Sequence, residues 1–299
     1  MSSGHRPARL VLLATILGVV FLALSAMLPA TTVPSFAASS RTEISAGAPF
    51  TSANACTVSG ALEGVDVSSL NGPIDWPKVK GAGKSFGYAR VADGTSADAT
   101  FPANYAGMKS AGLTAGAYLF FQPAQDPITQ ANLLVNTLRQ VQFAPGDLAP
   151  TFDVELTGGQ DSATIIANLQ MAVNIVQTGL GVTPTIYTDF TFWNTSVGGS
   201  SAFATSPLFI GSWNTSCPTP LPRGWSTWAV WQYADNGNVA GINGVVDLDR
   251  SNGPTLPVYN PGNASPTSTP TATPTIGLSG TPRLVYLPAV VNTAVLSGW

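Results

Sequence analysis

Short apolar segments alternate with amphipathic segments over the central part of the chain, from residue 61 to residue 252. Runs rich in Val, Ile, Leu, Phe, Tyr and Trp that are bounded by Gly, Pro, Asn, Asp or Ser are typical of buried strands. The pattern predicts eight strands, at 62–67, 86–91, 115–121, 148–156, 185–188, 208–213, 229–233 and 245–248.

Amphipathic helices are predicted between several of these strands. Asp126 can cap one helix and Pro127 suits its first turn, after which apolar residues recur on one face as far as Val141. Another helix is predicted from Ser162 to about 178, with Gly179 as its stop.

Strands that alternate with helices favour parallel pairing and an α/β fold, and eight of them favour a closed barrel. A full (β/α)8 barrel usually has about 250 residues, and the segment 61–252 is shorter. Several connections after the fifth strand are also short or rich in Ser, Gly and Pro. We therefore expect a trimmed (β/α)8-like TIM-type barrel with reduced helices in its second half.

The composition of the flanks divides the rest of the chain. A positively charged start, an apolar run at 10–28 and small residues at 35–38 predict a secretory signal peptide, with an uncleaved membrane anchor as the alternative. We expect the protein to be secreted, extracellular or at the cell surface. The predicted parts are a signal peptide at 1–38, an N-terminal extension at 39–60, a globular domain at 61–252, a Pro/Ser/Thr-rich linker at 253–282 and a short apolar tail at 283–299.

Composition excludes several kinds of chemistry. Charged residues make up only 9% of the chain, which argues against nucleic-acid binding, and no glycine-rich nucleotide motif follows a strand. The single histidine, His5, lies in the leader, and Cys56 and Cys217 are the two cysteines. In an oxidising compartment these two can form a disulfide, with two free thiols as the alternative. We expect no metal and no cofactor, and acid–base chemistry must depend on carboxylates.

Carboxylates cluster at the predicted strand ends, where barrel enzymes place their chemistry. Asp66 ends the first strand, Asp153 and Glu155 end the fourth, and Asp247 ends the eighth together with Asp249. Positions i and i+2 of a strand share one face, so Asp153 and Glu155 would point into one cavity.

Cleavage of a glycosidic bond requires one protonated and one ionised carboxyl group. Two carboxyls in a partly buried site can supply both, because their repulsion raises the pKa of one of them. A single D-x-E on a strand is also common at surfaces, where both side chains are merely solvated. The additional acids at other strand ends favour the functional interpretation.

Five motifs then occur in an order and spacing that resemble glycoside hydrolase family 25, the N-acetylmuramidase-type lysozymes. They are GVDVSSLNGPIDWPKVK, AGLTAGAYLFF, LAPTFDVE, WAVWQYADNG and GVVDLD, and the resemblance extends over about residues 61–252. The resemblance implies a trimmed β/α barrel and hydrolysis of the β-1,4 bond between N-acetylmuramic acid and N-acetylglucosamine in peptidoglycan. The domain at 61–252 is then a lysozyme catalytic domain.

The resemblance also implies roles for the carboxylates. Glu155 matches the general acid/base, and Asp153 matches a neighbour that orients the substrate acetamido group or stabilises positive charge. Asp66 and Asp247 match the aspartates of the first and last strands. The family favours participation of the substrate acetamide, whereas the sequence leaves a carboxylate nucleophile and an inverting route open.

Three places depart from the family pattern, and one of them is the segment after the second strand, which is often Thr-Glu-Gly in relatives and is Ala92-Asp93-Gly94 here. The third strand usually reads Tyr-His-Phe, whereas here Leu119 lies between Tyr118 and Phe120 and should point away from both. Asp249 stands where relatives more often have Asn.

Aromatic residues on strands suit a sugar site, because pyranose rings stack on aromatic faces. We predict Tyr118, Tyr187 and Trp213 as substrate-binding residues, although aromatics on barrel strands are more often core. The predicted partner is peptidoglycan polysaccharide, with no nucleic acid or nucleotide, and we expect a monomer. A non-catalytic wall-binding barrel and a chitin-directed hexosaminidase are the alternative functions.

Overall fold

A computed structural model of the 299-residue chain describes residues 58–213 and 215–261. The strands are β1 (Glu63–Val67), β2 (Phe86–Asp93), β3 (Ser96–Ala97), β4 (Thr114–Phe120), β5 (Thr151–Asp153), β6 (Thr185–Asp189), β7 (Leu208–Gly211), β8 (Val230–Gly237) and β9 (Val246–Ser251). The α-helices are α1 (Trp76–Gly81), α2 (Phe101–Ser110), α3 (Pro127–Gln140), α4 (Ser162–Leu180) and α5 (Phe190–Thr195).

The sheet closes into a barrel of eight strands. Its order is β1-β9-β8-β7-β6-β5-β4-β2, and a further pairing of β1 with β2 closes the ring, while β3 forms a short antiparallel pair with β2. The six neighbouring pairs from β1–β2 round to β7–β8 are parallel. The predicted trimmed barrel is confirmed.

The last strand departs from the expected parallel pairing. β9 is antiparallel to both of its neighbours, β8 and β1. Parallel strands need a crossover of a dozen or more residues, and β8 and β9 are joined by 238–245 alone. This short connection returns the chain in the opposite direction.

The helices thin out along the chain as expected. α3 and α4 are long and pack on one another, whereas α5 has 6 residues, and no helix occurs in the described parts of 212–229 or in 238–245. Asp126 caps α3 by accepting a hydrogen bond from the Thr129 amide, as its sequence predicts.

The end of α4 differs from the prediction. The helix passes through Gly179 and ends at Leu180, and Gly181 caps it with φ +69°. A Cβ at Gly179 would lie 2.9 Å from a methyl group of Val135. Gly179 therefore serves close packing against α3, and Gly181 supplies the left-handed conformation that terminates the helix.

The core of the described residues has three parts, one of which is an outer cluster of Leu208, Ile210, Trp228 and Trp231. The largest part lies between the sheet and the helices and includes Leu119, Leu134 and Phe152, all fully buried. A smaller cluster fills the inside of the barrel, and its buried members are Phe86, Tyr88, Leu148, Tyr187, Phe209 and Val230. Tyr187 and Phe209 of this inner cluster also line the cavity described below.

The start of the predicted linker contacts the barrel. The Ala149 amide donates to the Pro257 carbonyl, and Tyr259 stacks on Phe143 with ring centroids 5.1 Å apart. Residues 1–57 and 262–299 lie outside the described residues, so the predicted signal peptide, most of the extension and linker, and the tail stay predictions. The Cys56–Cys217 pairing also stays a prediction, because Cys56 lies outside them.

No helix within 58–213 and 215–261 is long and apolar enough to cross a membrane.

Candidate active site

A cavity of about 290 Å³ opens at the end of the barrel where the parallel strands finish. It contains all seven residues that the sequence predicts for the site, and their functional roles stay predictions. The lining side chains are Asp66, Ser68, Leu70, Arg90, Tyr118, Phe120, Thr151, Asp153, Glu155, Tyr187, Phe209, Trp213, Gln232, Asp235 and Asp247.

Four predicted carboxylates converge from three parts of the barrel. Asp66 projects from β1, Asp153 is the last residue of β5, and Asp247 is the second residue of β9. Asp66 and Asp247 lie directly opposite one another in the β1–β9 register. These three side chains are half-buried, and Glu155 is exposed at the cavity mouth.

The position of Glu155 corrects the prediction that it lies on a strand. β5 ends at Asp153, and Glu155 belongs to the loop that leads to α4. The Val154 amide still donates to the Tyr187 carbonyl, after which a turn at Gly158 and Gly159 with positive φ redirects the chain. The loop nevertheless leaves Glu155 on the same cavity as Asp153.

The depth of Asp247 and Asp249 is also corrected. Because β9 is antiparallel, these residues lie near its beginning rather than at the end of a parallel strand. Asp247 pairs with Asp66 at the cavity, and Asp249 pairs with Gly64 one step further into the barrel. Asp249 is fully buried and does not line the cavity.

The environment raises the pKa of all four predicted cavity carboxyls. Burial is the largest cause for each of the four groups, and it raises the pKa of Asp66, Asp153, Glu155 and Asp247. Repulsion adds to burial: Glu155 raises the pKa of Asp153 further, and Asp66 does the same for Glu155. The pKa of Asp247 rises to about 8. Because neighbouring negative charges oppose one another, some of the four carboxyls keep a proton while others are ionised, as an acid–base site requires.

Gln232 connects the carboxylates to the aromatic wall, and the sequence interpretation missed it. Its amide nitrogen donates to Asp66 Oδ2 at 2.8 Å. Its carbonyl oxygen accepts from the Tyr187 hydroxyl at 2.9 Å and from the Trp213 indole nitrogen at 3.2 Å. Alternation along β8 could have predicted its position, because neighbouring residues of a strand point to opposite faces. Trp231 belongs to the outer cluster and Tyr233 packs against it, whereas Gln232 between them faces the cavity.

Arg90 is the basic residue among the lining side chains, and it is already paired. Its guanidinium contacts Asp98 at 3.2 Å and Ser69 Oγ at 3.2 Å. Asp98 also accepts from the Ser69 amide and from Thr100, which ties the 3-10 turn Ser69–Asn71 to the cavity edge. Exposed Leu70 lies on this turn at the mouth.

The aromatic side chains form part of the cavity wall. Tyr187 is 6% exposed and Trp213 is 38% exposed, so the wall offers a fixed ring deep in the cavity and an accessible ring at its mouth. Within the described ranges, no group of three or more His, Cys, Asp or Glu side chains is placed to hold a metal ion. The chemistry available at this site is proton transfer and charge stabilisation by carboxyls beside an aromatic wall.

A known family has this combination of barrel and acidic cavity. The model of the family described as Glycosyl hydrolases family 25 matches residues 65–242 of this chain, which is more than half of its length. The chain belongs to glycoside hydrolase family 25. As a member of family 25, it is a glycoside hydrolase.

Individual relatives agree with the family match. Lysozyme M1 of Streptomyces globisporus is 34% identical over 205 residues, which cover 64% of this chain and 68% of that protein. The crystal structure of a bacterial lysozyme from Streptomyces coelicolor is 31% identical with a TM-score of 0.60, covering 65% of this chain and 93% of that one. A family GH25 lysozyme from Aspergillus fumigatus is 25% identical with a TM-score of 0.58, over 65% and 95% of the two chains.

Leu119, one of the departures from the family 25 pattern, faces away from the cavity. It is fully buried in the core between the sheet and the helices, whereas Tyr118 and Phe120 line the cavity. The residue at this position of β4 therefore belongs to the core packing behind the wall and does not line the cavity.

Proposed function

We propose that this family 25 enzyme hydrolyses the β-1,4 bond between N-acetylmuramic acid and N-acetylglucosamine in peptidoglycan. The observation that carries the proposal is the convergence of Asp66, Asp153, Glu155 and Asp247 on one sugar-sized cavity with an aromatic wall. The relatives named as lysozymes support the same substrate class.

Glu155 has the position of a general acid. It lies at the mouth, where a polymer can reach it, and its raised pKa favours the protonated form. In the proposed reaction Glu155 gives its proton to the glycosidic oxygen as the bond to the anomeric carbon breaks. The Glu155 carboxylate then removes a proton from the water that attacks the anomeric carbon, which restores the acid.

Positive charge at the anomeric carbon needs a partner during this step. In the proposed route the carbonyl oxygen of the substrate acetamide bonds to that carbon and is displaced when water attacks. Asp153 or Asp247 would hold the acetamide N–H and balance its charge. Both project into the cavity beside Glu155, and the charge of Glu155 raises the pKa of each.

Replacing Glu155 with glutamine tests the assignment. The variant keeps the size and polarity of the side chain and loses the transferable proton, so turnover on purified peptidoglycan should fall by about 10²–10⁴-fold. Binding to insoluble cell wall in a pull-down should remain. A fully active Glu155→Gln variant would contradict the mechanism, and loss of binding together with activity would indicate misfolding, which circular dichroism detects.

Mass spectrometry of the digest identifies the bond. A new reducing end on N-acetylmuramic acid supports the proposal, whereas a reducing end on N-acetylglucosamine contradicts it. Chitin oligomers provide a matched substrate, because they share the N-acetylglucosamine unit and lack the lactyl ether. Preferential cleavage of chitin would favour the hexosaminidase alternative.

We also propose that the protein acts outside the cytoplasm after export by residues 1–38. Support comes from the charged, apolar and small-residue pattern of this segment. N-terminal sequencing of the protein from culture medium and from membranes distinguishes a cleaved signal from an anchor.

A further inference from the structure

Asp249 is a buried carboxyl without a hydrogen-bond donor. It is 0% exposed, and neither of its side-chain oxygens has a hydrogen-bond partner among the described residues. In the barrel it lies opposite Gly64 of β1 and Gln232 of β8, one step below Asp247. A buried ionised carboxylate with no donor costs several kcal/mol or more, so this position demands an explanation.

The groups that face Asp249 are mostly acidic. Asp66 of β1 lies two residues from Gly64, the β1 partner of Asp249, so both carboxyls are on the same face of the β1–β9 pair. Asp247 of its own strand repels a charge on Asp249. Lys84, before β2, is the cation that opposes this repulsion, but its ammonium already lies 3.5 Å from Glu63. Tyr88 of β2 and Tyr233 of β8 are also close enough for a charge on Asp249 to raise the pKa of each hydroxyl.

The contact with Asp66 is a hydrogen bond only if one of the two carboxyls carries a proton, because a carboxylate cannot donate. Asp66 receives the amide N–H of Gln232 at 2.8 Å, which favours its ionised form. Asp249 receives no such donor. The proton therefore belongs on Asp249, and Asp66 accepts.

We propose that Asp249 is a positioning residue that carries a proton in the active enzyme and donates it in a hydrogen bond to Asp66. Together with Gln232 it holds the Asp66 carboxylate ionised and pointed into the cavity. Burial and the negative charge of Asp66 both raise the pKa of Asp249, in agreement with this arrangement. The inference rests on the proposed function, in which Asp66 is one of the four carboxylates that converge on the cavity.

Two variants separate donation from packing. Asp249→Asn keeps a donor of nearly the same shape that cannot titrate, whereas Asp249→Leu fills a similar volume with no donor. On soluble peptidoglycan fragments, Asp249→Leu should lower kcat roughly 10- to 100-fold with little change in KM, as expected for loss of a hydrogen bond to a charged group. Asp249→Asn should recover most of the wild-type kcat. Wild-type turnover in Asp249→Leu, or no recovery in Asp249→Asn, would overturn the proposal.

An infrared measurement does not depend on turnover. At neutral pH, the difference spectrum of the wild-type chain minus Asp249→Asn should contain the carbonyl band of a protonated carboxyl group. Absence of that band would mean that Asp249 is ionised, and the proposal would be wrong even if Asp249→Leu failed to fold. The Glu155→Gln assay tests the proposed function separately, so the two failures can be told apart.

Discussion

Replacing Gln232 with methionine would remove the link between Asp66 and the aromatic wall. Methionine has a similar length and volume, and Gln232 is 5% exposed, so the change removes hydrogen bonds with little effect on packing. Asp66 loses one donor, and the buried Tyr187 hydroxyl loses its acceptor. Trp213 is exposed enough for its indole nitrogen to bond to water instead.

The cost follows from these contacts. A hydrogen bond to a charged group contributes about 1.5–3 kcal/mol, and a buried hydroxyl without a partner costs about 1–3 kcal/mol. The added burial of an apolar side chain offsets part of this, so we expect a loss of about 2–4 kcal/mol in the free energy of unfolding. Because Asp66 is no longer held in place, kcat/KM should fall roughly 10- to 100-fold.

Urea unfolding followed by tryptophan fluorescence measures the stability, and release of soluble wall fragments measures the activity. The stability difference should shrink as the pH falls, because the Gln232 hydrogen bond favours ionised Asp66 and loses that advantage once Asp66 is protonated. Gln170→Met is a matched control, since its hydrogen bond to Asn174 is exposed, and it should change stability by less than about 0.5 kcal/mol. A Gln232→Met protein as stable and as active as the wild type at neutral pH would refute the reasoning.

Two further changes test the acid and the barrel packing. Asp189→Asn keeps an oxygen that can cap α5 but removes a charge that raises the pKa of Glu155. The alkaline limb of the pH profile of kcat/KM should therefore move to lower pH. A limb that does not move would show that this charge does not act on the proposed general acid. Gly64→Ala places a methyl group against the buried Phe86 ring and should cost about 1–3 kcal/mol in thermal unfolding, whereas Gly81→Ala at an open position should not destabilise. Equal melting temperatures for the two alanine variants would contradict the close packing.

Local patterns carried the prediction of the elements. Asp126 and Pro127 mark the start of α3 because capping depends on residues within one turn, and the structure shows that cap. The end of α4 was less predictable, since both Gly179 and Gly181 can stop a helix and only the approach of Val135 distinguishes their uses. That approach depends on tertiary packing between α3 and α4.

The sequence could predict which carboxylates and aromatic residues line the cavity, but not the hydrogen bonds that join them. Strand ends in a barrel meet at one face, so residues as distant in sequence as Asp66 and Asp153 could be expected together. Gln232 escaped notice because an amide has no distinctive motif, although alternation along β8 would have turned it inward. Its importance depends on three partners that only the closed barrel brings within reach.

The direction of β9 decides which of its two acids lines the cavity. In a parallel strand, Asp249 would lie nearer the open end and Asp247 deeper. The antiparallel strand reverses this order, so Asp247 pairs with Asp66 at the cavity and Asp249 lies below it. β9 runs antiparallel because the connection 238–245 is too short for the crossover that a parallel strand needs. Loop length, rather than the spacing of the acids themselves, thus separates the carboxyl that lines the cavity from the one proposed to hold Asp66 in position.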